Sequence, residues 1–256
     1  MPGMPRSIAP SLRALLDRLI DYAGSFPPAA LSREAAVANY ERYRASEHAW
    51  MLRWLVVSAA DLLKVPRTLD GSLAVLSDTD EQRAAVIESK RIVSAAQPTY
   101  CEVPIDELDN VQRAGCFAKL RTGGVKVDAI PPVTDVAAFI IACTELRLPF
   151  KATAGLHHPV RAQQPLTYEA NGPQAVMHGF LNVFLAASFA WHGDRDIEPV
   201  LAETEPTAFR FDDRVHWRDR SLNVDQVREA RIHFAHSFGS CSFDEPVRDL
   251  EAMGLL

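Results

Sequence analysis

Two lysines in apolar surroundings are the residues of this sequence best suited to covalent chemistry. Lys119 sits in Ala118-Lys119-Leu120 and Lys151 in Phe150-Lys151-Ala152. Burying an ammonium group is costly unless it is paired, so lysine is depleted from buried strands. Desolvation and a second nearby ammonium both favour the neutral amine. A neutral amine is the nucleophile that a Schiff base with an aldehyde or ketone requires. Glu102, in Thr99-Tyr100-Cys101-Glu102-Val103-Pro104, is a carboxylate that would pair with Lys119 or move protons. The same residues also have a purely structural reading, in which the lysines point out among helices or pair with Glu102 as scaffold.

Lys151 opens a run dense in reactive groups, Lys151-Ala152-Thr153-Ala154-Gly155-Leu156-His157-His158-Pro159. Adjacent residues of an extended segment point opposite ways, so His157 and His158 are poorly disposed to share one metal. His157 is the candidate acid/base, with Thr153 and His158 as substrate contacts. Arg121, before Gly123-Gly124, and Arg161 offer guanidinium forks for an acidic group. Ser240, in Ser240-Cys241-Ser242, is a candidate anion contact, and Cys241 reads as a buried thiol. The sequence holds no HxH or HExxH pattern, and the expectation is no metal and no cofactor. A metal site would have to recruit Glu102, Asp78 or Asp212. His178 and His192 read as surface or capping residues.

The elements that must hold these groups alternate along the chain. Strands are expected at Ile20–Phe26, Met51–Ser58, Leu73–Ser77, Thr99–Pro104, Gly115–Gly124, Pro149–Thr153, Ala208–Asp212 and His236–Phe243. Helices are expected between them, including one over 80–95 that Asp78-Thr79-Asp80-Glu81 would cap. Short apolar runs separated by helices indicate a parallel sheet buried on both faces. Eight such units in 256 residues point to an α/β fold, a single (β/α)8 TIM-type barrel over 1–256 with an N-terminal helix. In this count Lys119 lies on strand five and Lys151 on strand six, with Lys151 near the barrel mouth. An open doubly wound sheet is the rival, but Gly24-Ser25-Phe26-Pro27-Pro28 does not fit the Gly-rich phosphate turn such sheets carry.

Hydrophobic residues make up 48% of the chain and its net charge is -6, which suits a sizeable core and disfavours nucleic-acid or anionic-membrane partners. The four cysteines lack CxxC spacing, as expected of reduced thiols in a cytoplasmic protein. The leading residues lack the continuous apolar region of a signal peptide, and Leu12, Leu15, Leu16 and Leu19 recur at helical spacing. The expected partner is a small molecule, with no nucleic acid and no membrane; a homo-oligomer is compatible with the sequence.

Lys151-Ala152-Thr153-Ala154-Gly155 resembles the Lys-x-Ser/Thr-x-Gly segment of class I aldolases of the deoxyribose-phosphate aldolase kind. In that family the lysine on barrel strand six forms the Schiff base, and a second lysine lies on strand seven in a Lys-x-Ser-Gly-Gly type segment. Phe238-Gly239-Ser240-Cys241-Ser242 is faintly similar to its phosphate loop. The strand count departs from the family, because the second lysine, Lys119, precedes Lys151 and the expected strand seven has none. The resemblance implies an aldolase-like lyase acting on a small carbonyl-containing acid through Lys151, with Lys119, Glu102 and His157 assisting. The alternatives are a metal-dependent lyase, isomerase or hydrolase using His157 or His158 with carboxylates, and a non-catalytic binding barrel.

Overall fold

The computed structural model describes residues 8–256. Residues 1–7, part of the leading stretch read above, lie outside the described residues. The chain runs through α1 (Pro10–Leu16), β1 (Ile20–Tyr22), α2 (Arg33–Arg44), β2 (Leu52–Ser58), α3 (Ala59–Leu62), β3 (Leu73–Leu76) and β4 (Val86–Ser89). It continues with β5 (Thr99–Cys101), α4 (Leu108–Arg113), β6 (Phe117–Arg121), α5 (Val133–Glu145), β7 (Phe150–Thr153) and a hairpin, β8 (Ala162–Pro165) with β9 (Gln174–Met177). Then come α6 (Phe180–Trp191), α7 (Glu198–Ala202), an antiparallel sheet of β10 (Phe209–Phe211), β11 (Arg214–Trp217) and β12 (Arg220–Asn223), α8 (Val224–His233), β13 (Ala235–Ser240) and α9 (Asp244–Ala252).

Eight parallel strands close a barrel in the order β1-β13-β7-β6-β5-β4-β3-β2. The expected TIM-type barrel with an N-terminal helix is therefore present, but two of its strands differ from the sequence reading. The segment expected as a helix over 80–95 contains barrel strand β4. Its acids serve loops instead of capping a helix: Asp78 accepts from Ser89 Oγ at 2.6 Å, and Asp80 accepts from the Ala96 N–H at 2.5 Å. Conversely, Phe209–Phe211 pairs with β11 in the separate antiparallel sheet. Asp212, which that reading put at the mouth, pairs there with His216 at 3.2 Å. Thr99–Cys101 is thus the fifth barrel strand, Phe117–Arg121 the sixth and Phe150–Thr153 the seventh.

Alternation along the strands divides the apolar residues between two cores. Phe150 packs on Phe139 of α5, with ring centroids 5.9 Å apart, and Phe238 stacks on Phe180 of α6 at 5.3 Å. The residues between them turn inward, where Trp54, Val56, Ala74, Val86 and Tyr100 form a smaller cluster. Helix α6 is apolar around its circumference and is buried from Phe180 to Ala190, as a helix without a polar face must be. The segment Val127–Glu145 is apolar enough by composition to cross a membrane. Here Val136, Ala137, Phe139, Ile140 and Cys143 of α5 are buried against the fold.

Candidate active site

Strands β6 and β7 pair in register, Lys119 beside Lys151 and Arg121 beside Thr153. Register partners on a parallel pair share a face, so one orientation carries both lysines into the barrel. Their apolar neighbours, Ala118, Leu120, Phe150 and Ala152, are buried in the core around the barrel.

The interior charges form a ladder of alternating sign. Lys151 Nζ donates to Asp21 Oδ2 at 2.6 Å and also binds Glu88 Oε1. Lys119 Nζ lies 2.8 Å from Glu88 Oε2 and 3.3 Å from Glu102 Oε2. Arg121 Nε donates to Glu102 Oε1 at 2.7 Å. The sequence of contacts is therefore Asp21, Lys151, Glu88, Lys119, Glu102, Arg121, rising from the sealed interior to the mouth. At its base Ser237 Oγ and the Trp54 N–H donate to the two oxygens of Asp21, at 2.7 and 3.4 Å.

Burial works against the charge on Glu88, but the Lys119 and Lys151 ammonium groups outweigh it and hold the carboxyl down at about 2. Burial likewise opposes the charge on Lys151, and Asp21 with Glu88 overcomes it, raising Lys151 well above the ordinary lysine value. Lys151 is thus a fixed ammonium with no exposed surface.

A cavity of about 790 Å³ opens at the C-terminal ends of the strands, the end at which such barrels hold their reactive groups. Glu88, Glu102 and Lys119 line it, together with Arg121, Thr153, His157 and His158. Ala23, Phe26, Pro27, Val56 and Leu76 form an apolar wall. The segment after β8 brings Leu166, Thr167 and Tyr168 to its edge. Glu102 Oε2 is buried and has no hydrogen-bond partner among the described residues. Its nearest cation is Lys119 Nζ, at 3.3 Å.

The loops after the two lysine strands meet glycine to glycine. A Cβ on Gly155 would lie 2.8 Å from Gly123 Cα, and Gly155 has φ +79°. Thr122 Oγ1 donates across the same contact to the carbonyl of Thr153 at 3.3 Å. Only glycine admits both this backbone conformation and this approach.

The histidines belong to the mouth but are tethered separately. His157 Nδ1 bonds Glu245 Oε2 at 2.9 Å, and His158 Nδ1 bonds Asp249 Oδ2 at 2.6 Å. Burial opposes the charge on Glu245, and His157 outweighs it, keeping the carboxyl below its ordinary value. Their ring centroids are 6.4 Å apart. Among the described residues no three His, Cys, Asp or Glu side chains gather as a metal-ligand set.

Four of the residues singled out from sequence stand elsewhere. Lys151 lies below the cavity, on strand seven, because β4 supplies the carboxylate that draws it inward. Arg161 points to buried His178, with its Nη1 3.4 Å from His178 Nδ1. His178, expected at the surface, is fully buried and bonds the Pro131 carbonyl at 2.8 Å. Ser240 is tied into the barrel seam: its hydroxyl accepts from the Ser242 N–H at 3.3 Å and its carbonyl from the Ala23 N–H at 2.7 Å. Its neighbours Gly239 and Cys241 face the cavity instead.

Sequence reasoning missed Asp21 and Glu88. Asp21 carried a usable signal, a carboxylate between Ile20 and Tyr22 in an apolar strand. Glu88 gives no such signal, because the acids upstream of its short strand imitate a helix cap. Comparison with known proteins finds no family model, no curated protein and no solved structure that matches this chain.

Proposed function

We propose that the protein is a Schiff-base enzyme of the lyase type in which Lys119, and not Lys151, bonds covalently to a small aldehyde or ketone. The observation that carries this reading is the unequal placement of the two amines. Lys119 lines the cavity, whereas Lys151 is locked below it between Asp21 and Glu88. With Lys119 on the sixth barrel strand and Lys151 on the seventh, the pair resembles the lysines of class I aldolases of the deoxyribose-phosphate aldolase kind. By strand position Lys151-Ala152-Thr153-Ala154-Gly155 then stands where that family has its strand-seven segment, with Ala154 in place of the first glycine of Lys-x-Ser-Gly-Gly, and the Schiff-base role passes to Lys119.

The chemistry assigns a task to each rung of the ladder. Lys119 gives up a proton to Glu102, and its nitrogen adds to the carbonyl carbon. The carbinolamine takes protons back on its oxygen and loses water, leaving a protonated imine. That imine takes up the electron pair of an adjacent bond. A C–H proton passes to Glu102, or a C–C bond breaks as its far carbon leaves as a carbonyl and the hydroxyl proton of that carbon passes to Glu102. Protonation of the enamine and attack by water then free Lys119. Lys151 positions Glu88, and Glu88 positions Lys119. Arg121, 44% exposed at the side chain, is available to an acidic group on the substrate. The apolar wall from Phe26 to Leu76 favours a substrate whose remaining surface is hydrocarbon.

The test is borohydride trapping with a panel of short aldehydes and 2-oxo acids. Hydride reduces the imine to a stable secondary amine, and peptide mapping locates it. The expected adduct is on Lys119 and is lost in Lys119→Met. An adduct on Lys151, or none from any member of the panel, overturns the reading.

A further inference from the structure

We infer that the opposite end of the barrel is a second ligand site, suited to a small flat anion of the nucleoside-phosphate class. A separate cavity of about 760 Å³ lies at the N-terminal ends of the strands. Five arginines line it, Arg13, Arg18, Arg53, Arg228 and Arg231, against one carboxylate, Asp17. This concentration of positive charge sits in a chain whose net charge is -6.

Arg228 of this cluster is neutralised by Asp225 at 3.2 Å, as Arg83 is by Asp70 at 2.6 Å and Arg220 by Asp196 at 2.7 Å elsewhere in the fold. Arg13, Arg18 and Arg53 form no ion pair among the described residues. Arg13 and Arg53 instead sit over indole rings, with the guanidinium carbon 4.0 Å from the Trp50 ring centroid and 3.6 Å from that of Trp54. A cation–π contact of this kind holds a guanidinium in place while leaving N–H groups free to donate.

Arg231 has a different task. It is buried and spends its donors on the carbonyls of Leu15, Asp17, Ala235 and His236. Burial and then Arg53 push Arg231 below the ordinary arginine value. Its charge is therefore held close to Arg53, with Asp17 and Asp21 acting on it from nearby but neither forming a direct ion pair. Like charges gathered around a cavity cost stability, and an anion removes that cost.

The floor argues for more than a bare ion. Trp54, Tyr100 and Phe117 line it. His236 closes it, with Nδ1 bonded to the Tyr100 hydroxyl at 2.7 Å. Burial, followed by Arg53 and Arg231, pushes His236 down to about 3, so the imidazole is neutral and adds no charge. Aromatic walls below a guanidinium rim suit a flat ring that carries phosphate. The volume falls in the range of small-molecule sites, roughly 300–1,000 Å³.

The site is independent of the Lys119 chemistry, and so is its test. The probes are ADP, adenosine and inorganic phosphate, read by thermal unfolding and by tryptophan fluorescence on the whole chain. ADP is expected to raise the unfolding midpoint and quench fluorescence, with adenosine and phosphate each giving less. Arg53→Gln is expected to weaken ADP at least about tenfold, as loss of a charge-assisted contact does. Arg13→Gln, on the exposed face of α1, gives the same direction without disturbing the barrel floor. No response to ADP, or a response that survives both substitutions, overturns the assignment. A change of oligomeric size in either variant without loss of ADP binding gives the cluster to a subunit contact and also overturns it.

Discussion

Lys119 stands beside Lys151 across the β6–β7 pair, and the two amines meet on opposite oxygens of one buried carboxylate, Glu88. The arrangement makes two chemically identical side chains unequal. Lys151 has carboxylates on both sides and no path to solvent, whereas Lys119 is held at the cavity floor.

That inequality extends to stability. Replacing Lys151 by methionine leaves Asp21 and Glu88 buried without their shared cation. Loss of one partner from a buried pair costs about 3–5 kcal/mol. Lys119→Met is expected to cost clearly less, because Glu88 keeps Lys151 and Glu102 keeps Arg121. Urea unfolding of the two variants measures the difference, and equal losses would contradict the ladder.

The ladder also sets an acid limit. Glu88 is held at about 2, below its ordinary 4.5. A carboxyl depressed by folding stabilises the protein above its unfolded value, and that contribution is lost as the pH falls through the folded value. A shift of this size corresponds to about 3 kcal/mol. Lys151 is displaced in the opposite sense, so its contribution is complete below 10.5 and is lost only as the pH rises through its higher folded value. These are two views of one interaction and do not add. Stability is therefore expected to be insensitive to this cluster from about pH 5 to pH 10, with loss below that window. Glu88→Gln should flatten the acid limb in denaturation curves taken between pH 2 and pH 6; an unchanged limb would assign it to other carboxylates.

The barrel was legible in the sequence because most of its strands are uninterrupted apolar runs bounded by turns. Strand β4 was not, because Val86–Ser89 is too short for either period to declare itself and acids just upstream imitate a helix cap. The alternation Phe209-Arg210-Phe211 correctly signals a strand, but local pattern does not say which sheet it joins. These two errors cancelled in the count of eight and displaced both lysines by one strand. Glu88 is concealed with its strand, whereas Asp21, a charge between Ile20 and Tyr22 inside an apolar strand, carries the same local signal as the two lysines. The tethers of His157 to Glu245 and His158 to Asp249 join residues about ninety positions apart, which no local reading reveals.

The glycine contact between the lysine strands can be isolated by comparison. Gly155→Ala places a Cβ against Gly123 and imposes φ +79° on alanine, whereas Gly115→Ala imposes φ +69° with open space around it. The backbone strain is common to both and costs roughly 1–2 kcal/mol. The extra loss in Gly155→Ala reports the close approach alone. Thermal unfolding should rank Gly155→Ala clearly below Gly115→Ala, and equal midpoints would mean that the two loops separate at little cost.

Cys241 provides a probe of the mouth. It lines the cavity, its Sγ lies 3.6 Å from the Tyr168 hydroxyl, and burial pushes its thiol above the ordinary 9.0. Alkylation requires the thiolate, so iodoacetamide should label native Cys241 slowly at neutral pH and continue to accelerate beyond pH 9. Tyr168→Ala removes the side chain that lies against the thiol and, with it, a hydrogen bond that favours the thiolate, so it should speed labelling at high pH, where access and not ionisation limits the rate. A Schiff-base adduct trapped on Lys119 fills the same cavity and should slow labelling in both proteins. Mass mapping of the alkylated peptide checks all three effects. Fast labelling of the native thiol at neutral pH would show that Cys241 is exposed at the mouth, and Tyr168 would then have no role in covering it.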